Sequence, residues 1–543
     1  MKKRFIRLIT FVVAVAFLVT GFAGCGGKQP EPKQEGEKAP AASGESSKQE
    51  AANGKQVEIS RLYRMAAETF PAETTPIEKE IEQKFNVKLK RISAPTANYE
   101  EKLSALVASG DIPDIFTIME INQMVKFAKD GVIGDLKGVI NEKDHPNFYK
   151  WINDPKYKPY VAYDGGIYGL PNINTYTTAP WVPLIRKDWL AELNLKMPET
   201  LADLYNVAKE FKAKKNVYPI GACNGFDYDN LNFILGAFGV VYGSWHTEGD
   251  KIVSYDVSPK MKEALAFLRK LKADGLLDPD WSTQKEEPMF DKLINGKTGI
   301  LQTWSVYHWR KEWNIAQVEM IKAGKLKKED KFDETKLYGN ENTTYLDYMP
   351  VLKGPDGQAY GLRGQAPVFD RHAISKKAVS DPEKIKRIMQ LAEWSSTDEG
   401  YLLTRRGHKD EHYTVDANGY IVRKPGIDEQ TTARVAGMEW WNLAATFNEK
   451  IDPPGDLDKP YDMKIRNYSK TLPTLERAED FLTSETFGKK RNEVKAKRDE
   501  VYFKIVNGSL PVEAFDKWVE DFKAMGYDTM AKEFTDSYNA MKK

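Results

Sequence analysis

Cysteine is scarce in this chain of 543 residues, which contains only Cys25 and Cys223. A disulfide framework is therefore excluded as the main source of stability, and the fold must rely on an apolar core, which a chain this long can supply in more than one domain. Net charge is also small, +1 at pH 7, with 29% charged residues of both signs. Because this balance lacks the basic excess of nucleic-acid-binding proteins, we expect no nucleic-acid partner.

The familiar catalytic and metal-binding patterns are missing as well. A Gly-Lys-Thr sequence occurs, but Asp291 stands where a phosphate-binding loop has its first glycine. His408 and His412 are four residues apart, yet the surrounding pattern favours a loop and a strand over a zinc-binding helix. No Gly-x-Ser-x-Gly sequence is present, and Cys223 has no nearby histidine to activate it. We therefore expect no metal, no cofactor and no catalytic residues.

One long apolar run lies at the N-terminus. Leu8–Ala23 is almost wholly apolar, basic residues flank its start, and the small residues Ala23 and Gly24 precede Cys25. This layout is typical of a cleavable export signal, with a permanent anchor helix as the alternative. Removal of residues 1–24, which carry four basic and no acidic groups, changes the formal net charge from +1 to −3.

A polar linker follows the export signal. Residues 26–55 contain no aromatic and no branched apolar side chain. Such a composition cannot bury enough apolar surface to order itself. As a flexible tether, this segment would have a root-mean-square reach of about 30 Å.

From Val57 onwards, strand patterns alternate with helix patterns. Strands are predicted over Val57–Met65, Val87–Ile92 and Ile112–Met119, with helices over Thr75–Asn86 and Asn98–Ser109 between them. This alternation predicts the α/β class, with a largely parallel sheet and helices on both faces.

The C-terminal part of the chain has a different pattern. Helical periodicity is predicted over Thr471–Leu482, Arg491–Val506 and Val512–Met541. Further upstream, a hairpin is predicted over Tyr413–Val422, and Thr200 begins a helix with a capping-box-like pair. The sequence therefore predicts two α/β lobes followed by a helical C-terminal layer.

Six segments carry a family resemblance, and their order is more specific than any one of them. They are Lys102–Phe116, Gly165–Pro171, Leu184–Phe211, Leu271–Trp281, Asn295–Ile300 and Ser380–Trp394. Examples are KLSALVASGDIPDIF, GGIYGLP and LKADGLLDPDW. The ordered set resembles the extracellular solute-binding lipoproteins of carbohydrate ABC importers, the family 1 solute-binding proteins similar to the LplA-type lipoproteins of Gram-positive bacteria.

The resemblance implies a two-lobed, periplasmic-binding-protein-like fold of type II with a helical C-terminal extension. The expected organisation is a signal peptide at 1–24, a lipidated Cys25 and flexible linker at 25–55, lobe 1 at 56–171 plus 358–398, and lobe 2 at 172–357 plus 399–543. The lobes would close on an oligosaccharide or related solute and deliver it to ABC permease subunits. A monomer is expected, lipid-anchored on the extracellular side of the cell membrane. The competing classes are a surface-attached carbohydrate-active enzyme, either a hydrolase or a lyase, and a surface adhesin or structural lipoprotein.

Two departures from the family pattern bear on these expectations. Some relatives place an acidic calcium-binding loop after the helix that Thr200 begins, whereas the corresponding residues 212–221 are basic here. We therefore expect no calcium at this position. The family also favours leucine three residues before the lipidated cysteine, where this chain has Phe22.

A sugar-binding cleft needs flat aromatic faces and planar polar groups that can each bind two hydroxyls. Such side chains are expected just past strand ends and near the crossings between lobes. The candidates are Arg64, Tyr176, Trp181, Asp227, Tyr228, Trp304, Arg371 with its neighbour Asp370, Glu439 and Trp440. Core packing is the alternative for the aromatic residues, and a solvated position or an acid–base role is the alternative for Glu439. Trp189, Trp245 and Trp281 fall in packing motifs and are expected in the core.

Overall fold

The protein is built around two separate β-sheets with helices packed against them. The computed structural model describes residues 55–65, 73–173, 181–226, 230–303, 346–417, 419, 421–424, 441, 443 and 468–542.

The strands are short and are distributed along most of the described chain. They are β1 (Val57–Arg64), β2 (Val87–Ala94), β3 (Ile115–Ile118), β4 (Ala162–Tyr163), β5 (Gly166–Ile167), β6 (Leu170–Ile173), β7 (Val182–Arg186), β8 (Trp245–Glu248), β9 (Lys251–Ser254), β10 (Ile300–Thr303), β11 (Leu346–Tyr348), β12 (Leu362–Arg363), β13 (Val368–Ile374), β14 (Tyr413–Val415), β15 (Ile421–Arg423) and β16 (Thr474–Leu475).

The α-helices lie between these strands and dominate the C-terminus. They are α1 (Pro76–Phe85), α2 (Tyr99–Ser109), α3 (Ile121–Lys129), α4 (Pro146–Asn153), α5 (Lys187–Glu192), α6 (Leu201–Lys215), α7 (Asn232–Leu235), α8 (Pro259–Ala273), α9 (Glu286–Ile294), α10 (Lys376–Val379), α11 (Pro382–Ser395), α12 (Asp398–Arg406), α13 (Glu485–Val506), α14 (Ala514–Ala524) and α15 (Tyr527–Met541).

The first sheet has the strand order β2-β1-β3-β13-β6. β1 runs parallel to β2 and β3, whereas β13 runs antiparallel to both β3 and β6. The predicted largely parallel sheet is thus confirmed for β1, β2, β3 and β6, which point the same way, whereas at β13 the chain re-enters the sheet in the opposite direction. The carboxyl ends of β1, β2, β3 and β6 therefore share one edge with the amino end of β13. We call this the first-sheet edge, and its residues are Arg64, Ala94, Ile118, Ile173 and Val368.

Helices cover both faces of the first sheet, as the sequence predicts. On one face, Ile77 and Phe85 of α1 pack with the sheet residue Ile59. On the other face, Leu103 of α2 packs with Phe116 of β3. Capping boxes begin both α1 and α6, which confirms the predicted start of α6 at Thr200.

The second sheet is antiparallel, with the order β10-β7-β11. Next to this sheet, Ile220 forms single parallel bridges to both Leu277 and Ile300. The core around this sheet buries the three tryptophans that the sequence assigns to packing, which confirms that prediction: Trp189, Trp245 and Trp281.

The C-terminal helices α13, α14 and α15 pack against the core of the second sheet. The helix predicted over 471–482 is wrong, because Thr474–Leu475 forms β16 and pairs with β12, and a 3₁₀ turn follows at Ala478–Asp480. The predicted hairpin is confirmed by the antiparallel pair of β14 and β15.

A buried polar network fastens the C-terminal helices to the second core. Arg498 Nη1 donates to Asp256 Oδ2 at 2.9 Å, and the Tyr502 hydroxyl donates to Asp256 Oδ1 at 3.2 Å. Trp518 Nε1 donates to the Asp256 carbonyl at 2.9 Å, while the Arg498 guanidinium lies 3.8 Å from the centroid of the Tyr242 ring. The buried charge of Arg498 is therefore paired with a carboxylate of opposite sign.

Trp441 and Leu443 pack in the core of the first sheet, although the sequence assigns them to lobe 2. The Trp441 indole donates to the buried Glu78 carboxylate at 3.1 Å, which ties this part of the chain to α1. The chain therefore contacts the first core again after residue 398. The exact lobe boundaries stay a prediction.

Candidate functional site

Polar side chains gather at the first-sheet edge around Asp370. Asn172, at the end of β6, donates from Nδ2 to Asp370 Oδ1 at 2.9 Å. Arg64 ends β1, and its guanidinium carbon lies 5.7 Å from the Tyr99 ring centroid. The pairing of β13 with β6 shifts register between Val368 and Asp370. Such irregularities re-aim side chains next to binding sites.

Two buried atoms at this edge have no hydrogen-bond partner among the described residues. They are Arg64 Nε, a donor, and Asn172 Oδ1, an acceptor. Buried polar atoms are nearly always paired in folded proteins, so an open donor and an open acceptor on the same edge of the sheet point to a ligand with hydroxyl or carboxylate groups.

The Asp370 carboxyl has an electrostatic environment of two opposing influences. Burial raises its pKa, whereas the Asn172 hydrogen bond and the nearby guanidinium groups of Arg371, Arg61 and Arg64 act in the opposite direction. Burial dominates, so the pKa lies above the ordinary value for aspartate. The Asp370 carboxyl can therefore act as a hydrogen-bonding group, and its charge depends on how far it is shielded from water.

Arg371 is buried and its guanidinium is occupied by backbone carbonyls. Nε donates to the Tyr160 carbonyl, Nη1 donates to the Met119 carbonyl at 2.7 Å, and Nη2 donates to the Asp480 carbonyl at 3.1 Å. The side chain is only 1% exposed, and burial lowers its pKa. Its role as a ligand contact stays a prediction, while the geometry shows a residue that joins three segments.

Trp181 and Arg363 lie together beside the second sheet. The Arg363 guanidinium carbon is 5.0 Å from the centroid of the Trp181 ring. Burial, reinforced by repulsion from Arg477, lowers the pKa of Arg363 to about 9, so it stays charged at neutral pH. A flat ring beside a guanidinium is the combination that sugar binding is expected to need.

A buried network of amide side chains forms hydrogen bonds to the backbone at Trp181. Gln302 Nε2 donates to the Trp181 carbonyl at 2.7 Å, and Asn230 Nδ2 donates to the Gln302 carbonyl at 2.9 Å. Asn230 Oδ1 in turn accepts from the backbone N–H of Cys223 at 3.0 Å. Burial raises the pKa of the Cys223 thiol to about 12, so this cysteine is a structural residue.

A connecting segment, residues 476–491, contacts the structure around both sheets. On the side of the first sheet, Arg491 pairs with Glu120 at 2.6 Å, and the Ser484 N–H donates to Asn122 Oδ1 at 3.0 Å. On the other side, the Trp245 N–H donates to Glu479 Oε2 at 2.9 Å. This segment therefore couples the two cores next to Arg371.

Six predicted site residues lie outside the described part of the chain, and so does the predicted lipidation site Cys25. These residues are Tyr176, Asp227, Tyr228, Trp304, Glu439 and Trp440. They stay predictions. Two described residues lie near them in sequence, since Gln302 precedes Trp304 by two residues and Asn230 follows Tyr228 by two.

Asn172, Arg363 and Gln302 were not predicted from the sequence. Asn172 and Gln302 are polar residues inside short apolar strands, LPNI and ILQT, and this interruption is the signal that could have identified them. Arg363 lies in a two-residue strand with no periodic pattern, so no local signal indicates that it pairs with β16 or lies beside Trp181.

No metal site is found within the described ranges, where His, Cys, Asp and Glu side chains form no group of three placed to hold an ion. In the same ranges, no helix combines the length and the apolar character needed to cross a bilayer.

Comparison with known families gives a match over most of the body of the chain. Residues 77–401 match the family described as bacterial extracellular solute-binding protein. The chain is 24% identical over 478 residues to the polygalacturonan/rhamnogalacturonan-binding protein YtcQ of Bacillus subtilis, covering 86% of this chain and 88% of YtcQ. It is 24% identical over 377 residues to the lipoprotein LipO of the same organism, covering 67% of this chain and 68% of LipO.

Solved structures show the same fold. The alginate-binding protein AlgQ2, solved without calcium ion, has a TM-score of 0.68 at 18% identity, covering 89% of this chain and 98% of AlgQ2. The substrate-binding protein FusA of Streptococcus pneumoniae, in complex with kestose, has a TM-score of 0.65 at 20% identity, covering 90% of this chain and 100% of FusA. The predicted two-lobed, periplasmic-binding-protein-like α/β fold is therefore confirmed.

Proposed function

Since the chain belongs to the bacterial extracellular solute-binding protein family, we propose that it captures an oligosaccharide between its two lobes and delivers it to the permease of an ABC importer. The observation that carries this proposal is that an open donor, Arg64 Nε, and an open acceptor, Asn172 Oδ1, lie on the same edge of the first sheet. Trp181 and Arg363 supply an aromatic face and a cation beside the second sheet. Ligand sites between domains and outside the carboxyl ends of strands are what general physics favours.

Fragments of plant polysaccharides are the ligand class that we propose first. The relative YtcQ is named for polygalacturonan and rhamnogalacturonan, and it is similar to this chain over most of its length. Guanidinium groups such as those of Arg64 and Arg363 can bind sugar hydroxyls and also the carboxylates of acidic sugars. Membership of a family of binding proteins gives no support to the alternative of a surface-attached hydrolase or lyase, and we propose binding without turnover by a monomer.

The proposed mechanism is a population shift between open and closed lobes. A ligand favours the closed state only through contacts that it makes to both sides of the cleft. Asn172 and Arg64 would hold hydroxyls on one side, and Trp181 would lie against a sugar ring on the other. The connecting segment, which already contacts both sides through Arg491 and Glu479, would keep the lobes joined during closure.

We also propose that Cys25 carries the lipid anchor. A similar protein of Bacillus subtilis is named a lipoprotein, and the N-terminal pattern before Cys25 is that of an export signal. Two acyl chains on one residue are enough to hold a soluble receptor at a membrane. If this is correct, Cys25→Ala releases the protein into the medium, whereas unchanged membrane association would contradict the anchor.

Thermal unfolding with a panel of oligosaccharides tests the binding function. Oligogalacturonides and rhamnogalacturonan fragments are expected to raise the melting temperature without release of new reducing ends or unsaturated products. For a stabilising sugar, Asn172→Ala is expected to weaken binding about fivefold to tenfold, because it removes hydrogen bonds to the ligand. The exposed Asn153→Ala is the matched control and should bind normally. Cleaved products would refute the binding function, and normal affinity of Asn172→Ala would refute the site.

A further inference from the structure

A second groove lies away from the first-sheet edge, where α6 ends beside the turn after α8. It has a volume of about 760 Å³, which is within the range of ligand sites. Its lining side chains are Tyr205, Lys209, Lys212, Asn216, Tyr218 and Asp274. The body of the groove thus comes from one helix and the chain that follows it.

The acidic residue of this groove, Asp274, is a charged carboxylate that is already paired with a lysine. Asp274 Oδ2 accepts from Lys270 Nζ at 2.6 Å and from the Tyr205 hydroxyl at 2.8 Å. These hydrogen bonds, with that from Lys270 the larger influence, lower the pKa of Asp274. Lys209 acts on Asp274 through a weaker Coulombic attraction that also lowers its pKa.

Two lysines line the groove, and among the described residues neither forms an ion pair with a carboxylate. Lys212 Nζ donates to the carbonyl of Asp274 at 2.6 Å, where Gly275, with φ +66°, leaves room for its ammonium group. Lys209 lies beside the Tyr205 ring, with Nζ 5.7 Å from the centroid. Both side chains belong to exposed residues on α6, three positions apart, so they lie on one face of the helix.

This lack of pairing contrasts with other helical lysines of the described chain. Lys126, Lys489 and Lys517, for example, each form an ion pair with a carboxylate four residues away. The groove is lined by Lys209 and Lys212 and by Asp274, which is paired with Lys270 just outside the lining, so the net charge of these four groups is about +2 at neutral pH.

Groups suited to a sugar ring lie beside these charges. The Tyr218 side chain is 48% exposed, which is unusual for a large aromatic residue in this protein. Asn216 ends α6 in the left-handed conformation, with φ 53°, and its amide offers both donors and an acceptor.

We propose that this groove binds an anionic polysaccharide chain, with carboxylates on Lys209 and Lys212 and a sugar ring against Tyr218. An acidic peptide would satisfy the lysines equally well, but it lacks the ring and the dense hydroxyls that Tyr218 and Asn216 fit. The groove would hold polymer at the protein surface, separately from the ligand between the lobes, so this inference does not rest on the proposed function.

Affinity electrophoresis in native gels that contain polygalacturonate tests the groove. The wild-type protein is expected to be retarded, and retardation should fall as salt is added, because exposed charges are screened. The double variant Lys209→Glu/Lys212→Glu should bind about tenfold more weakly or not at all. Lys137→Glu/Lys143→Glu is the control, since it makes the same charge change at two exposed lysines outside the groove.

Binding in the groove and general charge attraction give different results in these gels. Loss of retardation in the groove variant alone, with the melting temperature unchanged, supports the site, and Tyr218→Ala should then weaken retardation severalfold. Equal loss in the control shows general charge attraction and overturns the site. Full retardation of the groove variant, or none for the wild-type protein, overturns it as well. Equal retardation by polyglutamate of the same charge density refutes the polysaccharide as the ligand class.

Discussion

Arg371 can be tested as a structural residue or as a ligand contact. A structural role predicts that replacing it lowers the stability of the fold, whereas a ligand contact predicts that replacing it lowers the affinity for sugar. Its guanidinium donates to the carbonyls of Tyr160, Met119 and Asp480. Arg371→Met would leave all three acceptors without this donor, and each unpaired buried acceptor costs about 1–3 kcal/mol, reduced where the site relaxes or admits water. We expect a loss of about 3–5 kcal/mol in the free energy of unfolding, the range measured for disrupted buried charge networks.

Arg371→Lys refines the expectation. Lysine keeps the charge, but its ammonium is a point donor and cannot span three carbonyls that lie in three directions. We therefore expect a smaller loss in the free energy of unfolding, about half that of Arg371→Met, because fewer of the three carbonyls lose their donor. Urea unfolding followed by circular dichroism measures both values. Arg491→Met is the control, because this arginine is 46% exposed and its single ion pair should contribute about 0–1 kcal/mol.

Affinity for a stabilising oligosaccharide, measured on the same variants, gives the refuting result. If Arg371→Lys unfolds at the wild-type urea concentration but no longer binds sugar, the guanidinium contacts the ligand, as the sequence predicts. In that case the carbonyl contacts would not be its main role. If stability falls while the remaining folded protein binds normally, Arg371 joins the segments and does not touch the sugar.

Two further predictions concern buried charges elsewhere. Arg498→Met is expected to lower the free energy of unfolding by about 3–5 kcal/mol, because it leaves the Asp256 carboxylate without its partner, and a second change, Asp256→Asn, should recover part of this loss in urea unfolding. Asp370→Asn keeps an oxygen that can accept from Asn172. Because burial raises the pKa of Asp370 in the folded protein, ionisation destabilises the fold as pH rises through that pKa. The variant should therefore gain thermal stability over wild type at neutral pH, and the gain should vanish in acid; a gain independent of pH would contradict this.

Local patterns were enough to predict the elements of the first sheet. The alternation from Val57 to Met119 gives the strands and helices that the structure shows, since each element has its own periodicity. The chemistry at the Thr200 cap also depends only on neighbours in sequence. The direction of β13 could not be predicted in this way, because it depends on where the chain re-enters a sheet formed by residues much earlier in the sequence.

The site was less predictable for the same reason. Arg371 has the right residue type near a strand end, but its carbonyl partners come from residues 119, 160 and 480, which no local pattern brings together. The segment around Thr474 has helical periodicity, yet pairing with β12 determines its conformation. Arg363 belongs to β12, and its contact with Trp181 likewise joins residues far apart in the sequence.

The buried thiol of Cys223 has a practical consequence for measuring motion. With its pKa raised to about 12 and its side chain without exposed surface, it will not react with maleimide dyes at neutral pH. If Cys25 is acylated or absent, cysteines introduced at two surface positions would be the only sites that take up dye. A donor and an acceptor placed on either side of the cleft would then report the distance between the lobes of single molecules, without any need to remove a native cysteine first.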